Sequence, residues 1–215
     1  MVRACLVDVY DTAVSADYEP RLRAMTALTG VDADAWVGEW AKTNDDRARG
    51  KLSMADAFAL TLRACGIDPR PELVGELVSQ DSRLLSEDSR MYDDTVAFLG
   101  ELRSRGIGTA LVSNCSENTR PMLEGLGIFP LVDAAVLSFE VGSIKPSPEI
   151  YLSALDDLGV AAADAVMIDD QLRFCVGAEA IGVRAIQIVR AHHHGEVAES
   201  VFPVVRSLID ALPLL

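Results

Sequence analysis

From Asp93 onward the chain alternates between helical and strand-like patterns, and this rhythm restricts the fold more than any other feature. The periodicity predicts helices over 93–105, 117–126, 148–158 and 172–181, with strands over 107–112, 134–138, 165–168 and 185–189 between them. A last helix is expected over 204–212. Strands that alternate with helices in this way require right-handed βαβ crossovers, and hence a parallel sheet. The strand segments are continuous apolar runs, as burial on both faces demands. A further strand, Ala4 to Val7, opens the chain. The fold class expected is α/β: a parallel, Rossmann-like sheet with helices on both faces.

The stretch between the first strand and this repeating part reads differently. Apolar positions recur at helical spacing from Tyr18 to Leu28, with Gly30 as a stop, and again from Ala33 to Trp40. Ser53 and Asp56 form an S-x-x-D start for a helix that ends before Gly66, and another helix is expected from Pro71 to Ser79. No strand is evident from Val14 to Ser86. Two units are therefore expected: an α/β core of residues 1–13 and 87–215, and an all-helical insertion of residues 14–86.

Composition narrows the partners. The net charge of −14, with no basic cluster, argues against nucleic acid or an anionic membrane surface, but leaves room for a small anionic substrate in a locally positive site. No apolar run approaches the ~20 residues of a membrane-spanning helix. The four cysteines are scattered, with no C-x-x-C pair, which fits a reducing cytoplasm better than a disulfide or zinc scaffold. Monomer and homodimer are both compatible with these features.

Polar residues collect where the strands end. The first strand delivers Asp8, the next Ser113 and Asn114, and the fourth Asp169 and Asp170; Lys145 stands just before another helix. Because parallel strands share one carboxyl edge, these residues are expected on a common rim, where α/β sheets bind ligands. Singly, each has an ordinary explanation as a cap or a solvated turn. Together they make a chemical set. Three clustered carboxylates repel one another and call for a cation, for which Mg²⁺ with oxygen ligands is the natural choice. The Ser113 hydroxyl and the amides opening the next helix, whose cap is expected at Ser116, suit an anion such as phosphate. Lys145 can hold both Asp8 and that anion, and Asp8 has the makings of a nucleophile that forms a covalent intermediate.

These residues resemble the motifs of the haloacid dehalogenase superfamily. Asp8-Val9-Tyr10-Asp11-Thr12 is similar to its first motif, D-x-D-x-T, and Leu111-Val112-Ser113-Asn114 to its second. Lys145-Pro146-Ser147-Pro148-Glu149-Ile150-Tyr151 is close to K-P-x-P-x-I-[FY], and Asp169-Asp170 to the acidic fourth motif. The resemblance covers nearly the whole chain. It implies a hydrolase with Asp8 as nucleophile and Ser113 and Lys145 beside it. It also implies a magnesium site formed by Asp8, the backbone carbonyl of Tyr10, Asp169 and Asp170. The helical insertion resembles the family's small cap, in which Arg49-Gly50-Lys51-Leu52-Ser53 is a typical phrase. Arg47 and Arg49 are the expected cap contacts to substrate, unless they are solvated charges at a helix end; Thr12 and Asn114 are the expected contacts from the core.

One departure divides the functional reading. Family phosphatases carry a second Asp, the general acid and base, where this chain has Tyr10, and a tyrosine of pKa ~10 is no base at neutral pH. The family's haloacid dehalogenases do carry tyrosine there. They carry neutral residues, however, in place of Asp169 and Asp170. The expected function is Mg²⁺-dependent hydrolysis of a small phosphorylated metabolite. Carbon–halogen hydrolysis by the same Asp8 and a non-catalytic binding role are the alternatives. Phe174 replaces an acid found in many family phosphatases. His192, His193 and His194 are expected as a surface loop rather than a metal site, and Cys115 as a spectator thiol. Trp36 and Trp40, four apart, are expected to pack between cap helices.

Overall fold

In the computed structural model, which describes residues 1–191, 195, 197 and 201–215, β1 (Ala4–Val7) occupies the middle of a six-stranded parallel sheet. The other members are β4 (Gly108–Ser113), β5 (Ala134–Leu137), β6 (Ala165–Asp169), β7 (Arg184–Ile188) and β8 (Val204–Val205), in the order β5-β4-β1-β6-β7-β8. The run of three histidines lies outside the described residues. Among the described residues no helix is long and apolar enough to cross a membrane.

Side-chain alternation along β1 shows why its sequence is apolar throughout. Cys5 and Val7 enter one buried cluster with Phe98, Leu99 and Leu102 of α6 (Thr95–Ser104) and with Met122 and Leu123 of α7 (Thr119–Leu126). Ala4 and Leu6 enter the other, with Ile150, Tyr151, Ala154 and Leu155 of α9 (Pro148–Leu158) and Ala178 of α10 (Leu172–Glu179). A period of two thus feeds both faces, and helices cover each. Gly177 lets α10 approach closely: a Cβ there would lie 2.6 Å from Pro146 Cβ. From β1 the chain runs out to β4 and β5 on one side and to β6, β7 and β8 on the other. The strand order therefore reverses at β1, which opens a crevice at its carboxyl end.

Between β1 and the repeating part lie α1 (Glu19–Thr29), α2 (Ala33–Ala41), α3 (Asn44–Ala48), α4 (Met54–Ala64) and α5 (Pro71–Asp88). Their own cluster holds Met25, Trp36, Met54, Phe58, Leu62 and Leu77. Helix α1 stops at Gly30, which takes the left-handed conformation. Ser53 caps α4 by accepting from the Asp56 amide. At Gly50 (φ 64°) a Cβ would sit 2.1 Å from the carbonyl oxygen of Phe139, so glycine alone lets this segment meet α8 (Ser138–Val141).

Several expectations need correction. Residues 14–15 form a short strand, β2 (Val14–Ser15), antiparallel to β3 (Arg90–Met91), so the inserted segment begins and ends on a ribbon; two-residue strands are too short to show alternation. Helix α5 continues past Ser79 to Asp88. Its inward positions are Leu77, Asp81 and Leu85, and the buried acid interrupts the apolar period. The last helix is shorter than 204–212: β8 precedes α11 (Leu208–Ala211), whose cap is Ser207. Ser116 does not cap α7, whose N-cap residue is Asn118.

Candidate active site

Asp8 follows directly on β1, and its amide donates to the Ile168 carbonyl at 3.0 Å, so the ladder to β6 carries it rigidly to the crevice. Asp169 ends β6 and Asp170 follows it. Lys145 arrives from the loop before α9 and is 1% exposed. Its ammonium donates to Asp8 Oδ1 at 2.5 Å and to Asp169 Oδ2 at 2.6 Å, and lies 4.9 Å from the Phe174 ring centroid. The other Asp169 oxygen accepts from the Gln171 amide at 2.9 Å.

The charges do not balance. One carboxylate oxygen from each of Asp8, Asp169 and Asp170 lies within 4.8 Å of the others, against a single ammonium. Burial, opposed by Lys145 and assisted by Asp169, pushes the Asp8 carboxyl up to about 7. Burial, with Asp8 and Asp169 next to it, pushes Asp170 up to about 8. Burial acts to pull Lys145 down, but Asp169 and Asp8 outweigh it and the net direction is upward. Such a group of carboxylates takes up protons or a cation to offset its excess charge. A donor set made only of oxygens suits a hard cation.

The neighbouring polar residues fall into distinct roles. Ser113 is fully buried at the end of β4, and its hydroxyl has no hydrogen-bond partner among the described residues. Asn114 uses its carboxamide inside the fold: Oδ1 accepts from the Lys145 amide at 2.7 Å and Nδ2 donates to the Lys145 carbonyl at 2.9 Å. The Thr12 hydroxyl is buried without a partner among the described residues, while its carbonyl accepts from Arg190 at 2.6 Å. Asp11 takes φ 56°, the left-handed conformation that glycine adopts most readily. The Tyr10 hydroxyl bonds with Thr119 Oγ1 at 2.9 Å, and burial raises its pKa further from any role as a base. Burial also pushes the Cys115 thiol up to about 11, so it stays protonated.

Arg47 and Arg49 part company. Arg47 is buried and borders a cavity of about 480 Å³ between the inserted helices and the core, with Tyr10 and Trp40 on its wall. Arg49 lines a second cavity of about 390 Å³, which reaches Lys145. Trp36 and Trp40 pack on Phe58, as their spacing implies. Two further residues went unnoticed in the sequence. Arg190 grips Asp94 with two bonds of 2.9 Å besides the Thr12 carbonyl, and so ties together the two points where the chain leaves and re-enters the core. It follows β7 by two residues, and the criterion of a charge at a strand end could have found it. Asp81 bonds Asn118 at 2.5 Å and pairs with Arg21 at 3.6 Å; no local signal marked it.

A protein-family model described as haloacid dehalogenase-like hydrolase matches residues 2–182. The chain belongs to the haloacid dehalogenase-like hydrolase family. This hydrolase is 29% identical over 201 residues to a glyceraldehyde 3-phosphate phosphatase of Methanopyrus kandleri, spanning 90% of this chain and 86% of that one. It is 27% identical over 197 residues to (S)-2-haloacid dehalogenase 1 of Pseudomonas sp. (strain CBS-3), spanning 88% and 85%. The crystal structure of a HAD phosphatase from Thermococcus onnurineus superposes with a TM-score of 0.73 at 22% identity, covering 99% of this chain and 97% of that one, so the two share the fold. Within this family the chain is an enzyme that hydrolyses, and its relatives include both phosphatases and dehalogenases.

Proposed function

We propose that this HAD hydrolase cleaves a small phosphorylated metabolite with Asp8 as nucleophile. The observation that carries the proposal is the convergence of Asp8, Asp169 and Asp170 within 4.8 Å around one ammonium. A site for carbon–halogen cleavage needs the nucleophile and its counter-ion, but has no use for two additional buried acids, of which Asp169 raises the nucleophile's pKa.

The chain's own residues account for most of the chemistry. Lys145 favours the carboxylate form of Asp8, opposing the burial that raises its pKa. An Asp8 oxygen attacks phosphorus and forms an acyl phosphate, while the bond from phosphorus to the substrate oxygen breaks. The leaving oxygen takes its proton from water, since Tyr10 is held by Thr119 and offers no acidic group. Water then attacks the acyl phosphate, releasing inorganic phosphate and restoring the Asp8 carboxylate. The unpartnered Ser113 hydroxyl is the donor available to a phosphoryl oxygen. Asp8, Asp169, Asp170 and the Tyr10 carbonyl would hold Mg²⁺, which supplies positive charge to offset both the carboxylates and the phosphoryl group. The inserted residues 14–86 act as a cap over the core of 1–13 and 87–215, limiting access of water.

Phosphate release from a panel of small phosphomonoesters, with Mg²⁺ and then with EDTA, tests this reading. Turnover that depends on Mg²⁺ and vanishes in Asp8→Asn is expected; turnover that survives EDTA sinks it. Tyr10 favours a second reading, hydrolysis of a 2-halo acid by Asp8. Halide release from 2-chloropropionate that is indifferent to EDTA is its signature.

A further inference from the structure

We propose that Arg190 is a positioning residue for hydrolysis: it fixes, from behind, the loop backbone that aims the Asp8 carboxylate. The proposal rests on the hydrolase reading of Asp8 and adds the support that holds this nucleophile from its C-terminal side.

The two sides of Asp8 are held differently. Its own amide donates to the Ile168 carbonyl at 3.0 Å, so the sheet fixes the N-terminal side. The pairing of β1 with β4 and β6 ends at Val7, and the C-terminal side depends on a turn closed upon itself. In that turn the Val9 carbonyl accepts from the amides of Ala13 and Val14 at 2.9 and 2.8 Å. The Asp11 amide donates to the Val14 carbonyl at 2.9 Å. The Val9 amide, the next donor along the chain, acts on the Asp8 carboxyl and favours its charged form. Val9, Thr12, Ala13 and Val14 are all fully buried.

Arg190 holds this turn from the other side. The N–H and C=O of a trans peptide unit point in opposite directions. In the unit that joins Thr12 to Ala13, the N–H goes to Val9 and the C=O accepts from Arg190 Nη2 at 2.6 Å. In the following unit the Ala13 carbonyl accepts from the Tyr92 amide at 3.1 Å and from Thr95 Oγ1 at 2.7 Å. Arg190 is itself fixed. Asp94 takes its Nη1 and Nη2 at 2.9 Å each, and its guanidinium carbon lies 4.0 Å from the Tyr92 ring centroid. Asp94 accepts in addition from the Leu208 amide at 2.7 Å, where α11 begins. A continuous set of contacts therefore runs from α11 through Asp94 and Arg190 to the Thr12–Ala13 unit, then to Val9 and the Asp8 carboxyl. Only a planar fork can engage Asp94 twice, turn a further N–H to Thr12 and stack on Tyr92; a lysine ammonium does part of this. Arg190 lines neither of the two cavities described above, so its effect falls on the nucleophile rather than on the substrate. A nucleophile displaced by even a fraction of an ångström loses rate.

Amide hydrogen exchange and steady-state kinetics of the wild type, Arg190→Lys, Arg190→Met and Leu155→Ala test the proposal. Leu155 belongs to the cluster on the opposite face of the sheet, so its variant lowers stability without touching the loop. Each protein is assayed where circular dichroism shows it folded. In Arg190→Met, exchange at Ala13 and Val14 is expected to rise by about 10-fold or more, while the amides of β6 keep their protection. The kinetic arm follows phosphate or halide, whichever the wild type releases. A roughly 10- to 100-fold fall in kcat is expected, with KM within about 3-fold of the wild type and Arg190→Lys in between. Leu155→Ala should melt earlier and keep its kcat. If Arg190→Met does not fold, Asp94→Asn serves beside Arg190→Lys, since it leaves the bond to Thr12 and loosens the guanidinium, and a several-fold fall in kcat is expected. Unchanged exchange at Ala13 and Val14, an unchanged kcat despite faster exchange, or an equal loss of kcat in Leu155→Ala would overturn the positioning role and leave the hydrolase reading standing. A wild type that releases neither phosphate nor halide would overturn the hydrolase reading and the positioning role with it.

Discussion

The carboxamide of Asn114 brackets the peptide unit of Lys145, accepting from its N–H at 2.7 Å and donating to its C=O at 2.9 Å. The residue after β4 thereby sets the height at which the ammonium meets Asp8. Asn114→Ala removes both bonds and leaves the Lys145 amide without an acceptor. A loss of about 1–3 kcal/mol in urea unfolding is expected, together with a rise in the acidic limb of the pH–rate profile as Lys145 loosens its hold on Asp8. Unchanged stability and an unchanged profile would show that Lys145 is positioned by other means.

Lys145→Met removes the one cation between Asp8 and Asp169 while keeping much of the volume. Two buried carboxylates are then left facing each other, and breaking a buried pair in this way costs about 3–5 kcal/mol. Activity at neutral pH should disappear. The variant should also gain more thermal stability from added Mg²⁺ than the wild type does. Equal Mg²⁺-induced shifts in melting temperature would argue that Lys145 does not share the charge of the three acids.

The raised carboxyls make a directional prediction about pH. Asp8 and Asp170 move from the ordinary 3.8 to about 7 and about 8, so the folded state holds their protons more tightly than the unfolded chain does. Their contribution to stability is fully present below pH 3.8 and is lost as pH rises, the loss being complete near 7 for Asp8 and near 8 for Asp170. The slope reaches about 1.4 kcal/mol per pH unit for each proton. Lys145, raised above its ordinary value, is protonated in both states across this window and contributes no slope. Melting in EDTA should fall from about pH 5 to about pH 8 and then level, and Mg²⁺ should flatten the decline. A melting temperature in EDTA that rises over this range would contradict the charge cluster.

Tyr10 donates or accepts one hydrogen bond and stays neutral. Tyr10→Phe should cost about 0.5–1.5 kcal/mol of stability, and should remove no limb of the pH–rate profile. Tyr10→Asp places an acid where family phosphatases have one, and turnover of an aryl phosphate should rise. Unchanged or lower turnover in that variant would count against a phosphatase ancestry for this site.

Much of the architecture was legible because it is encoded locally. The alternating periods marked β4 to β7 and the helices between them, and Gly30 and Ser53 acted at the helix ends where their chemistry predicts. What escaped was short or mixed in character. The ribbon of β2 and β3 and the terminal strand β8 have two residues each, fewer than a period-two signal needs. Helix α5 hid its second half because Asp81 sits on its buried side, and that acid makes sense only beside Arg21 and Asn118. Ser116 looked like a helix cap; its hydroxyl instead meets Arg47, a residue 69 positions away.

By itself the sequence determined that a parallel sheet forms, that Asp8 stands at the carboxyl end of its first strand, and that four polar segments share one rim. Periodicity and strand direction are properties of neighbouring residues, and they suffice for those conclusions. Only the tertiary structure decided which charges meet: that Lys145 spans Asp8 and Asp169 across 137 and 24 residues of chain, that Asn114 turns inward to Lys145, and that Arg47 is buried without an anion while Arg49 belongs to another cavity. Those outcomes depend on side-chain direction and on distance from water, which set the energy of a charge and which no local pattern encodes.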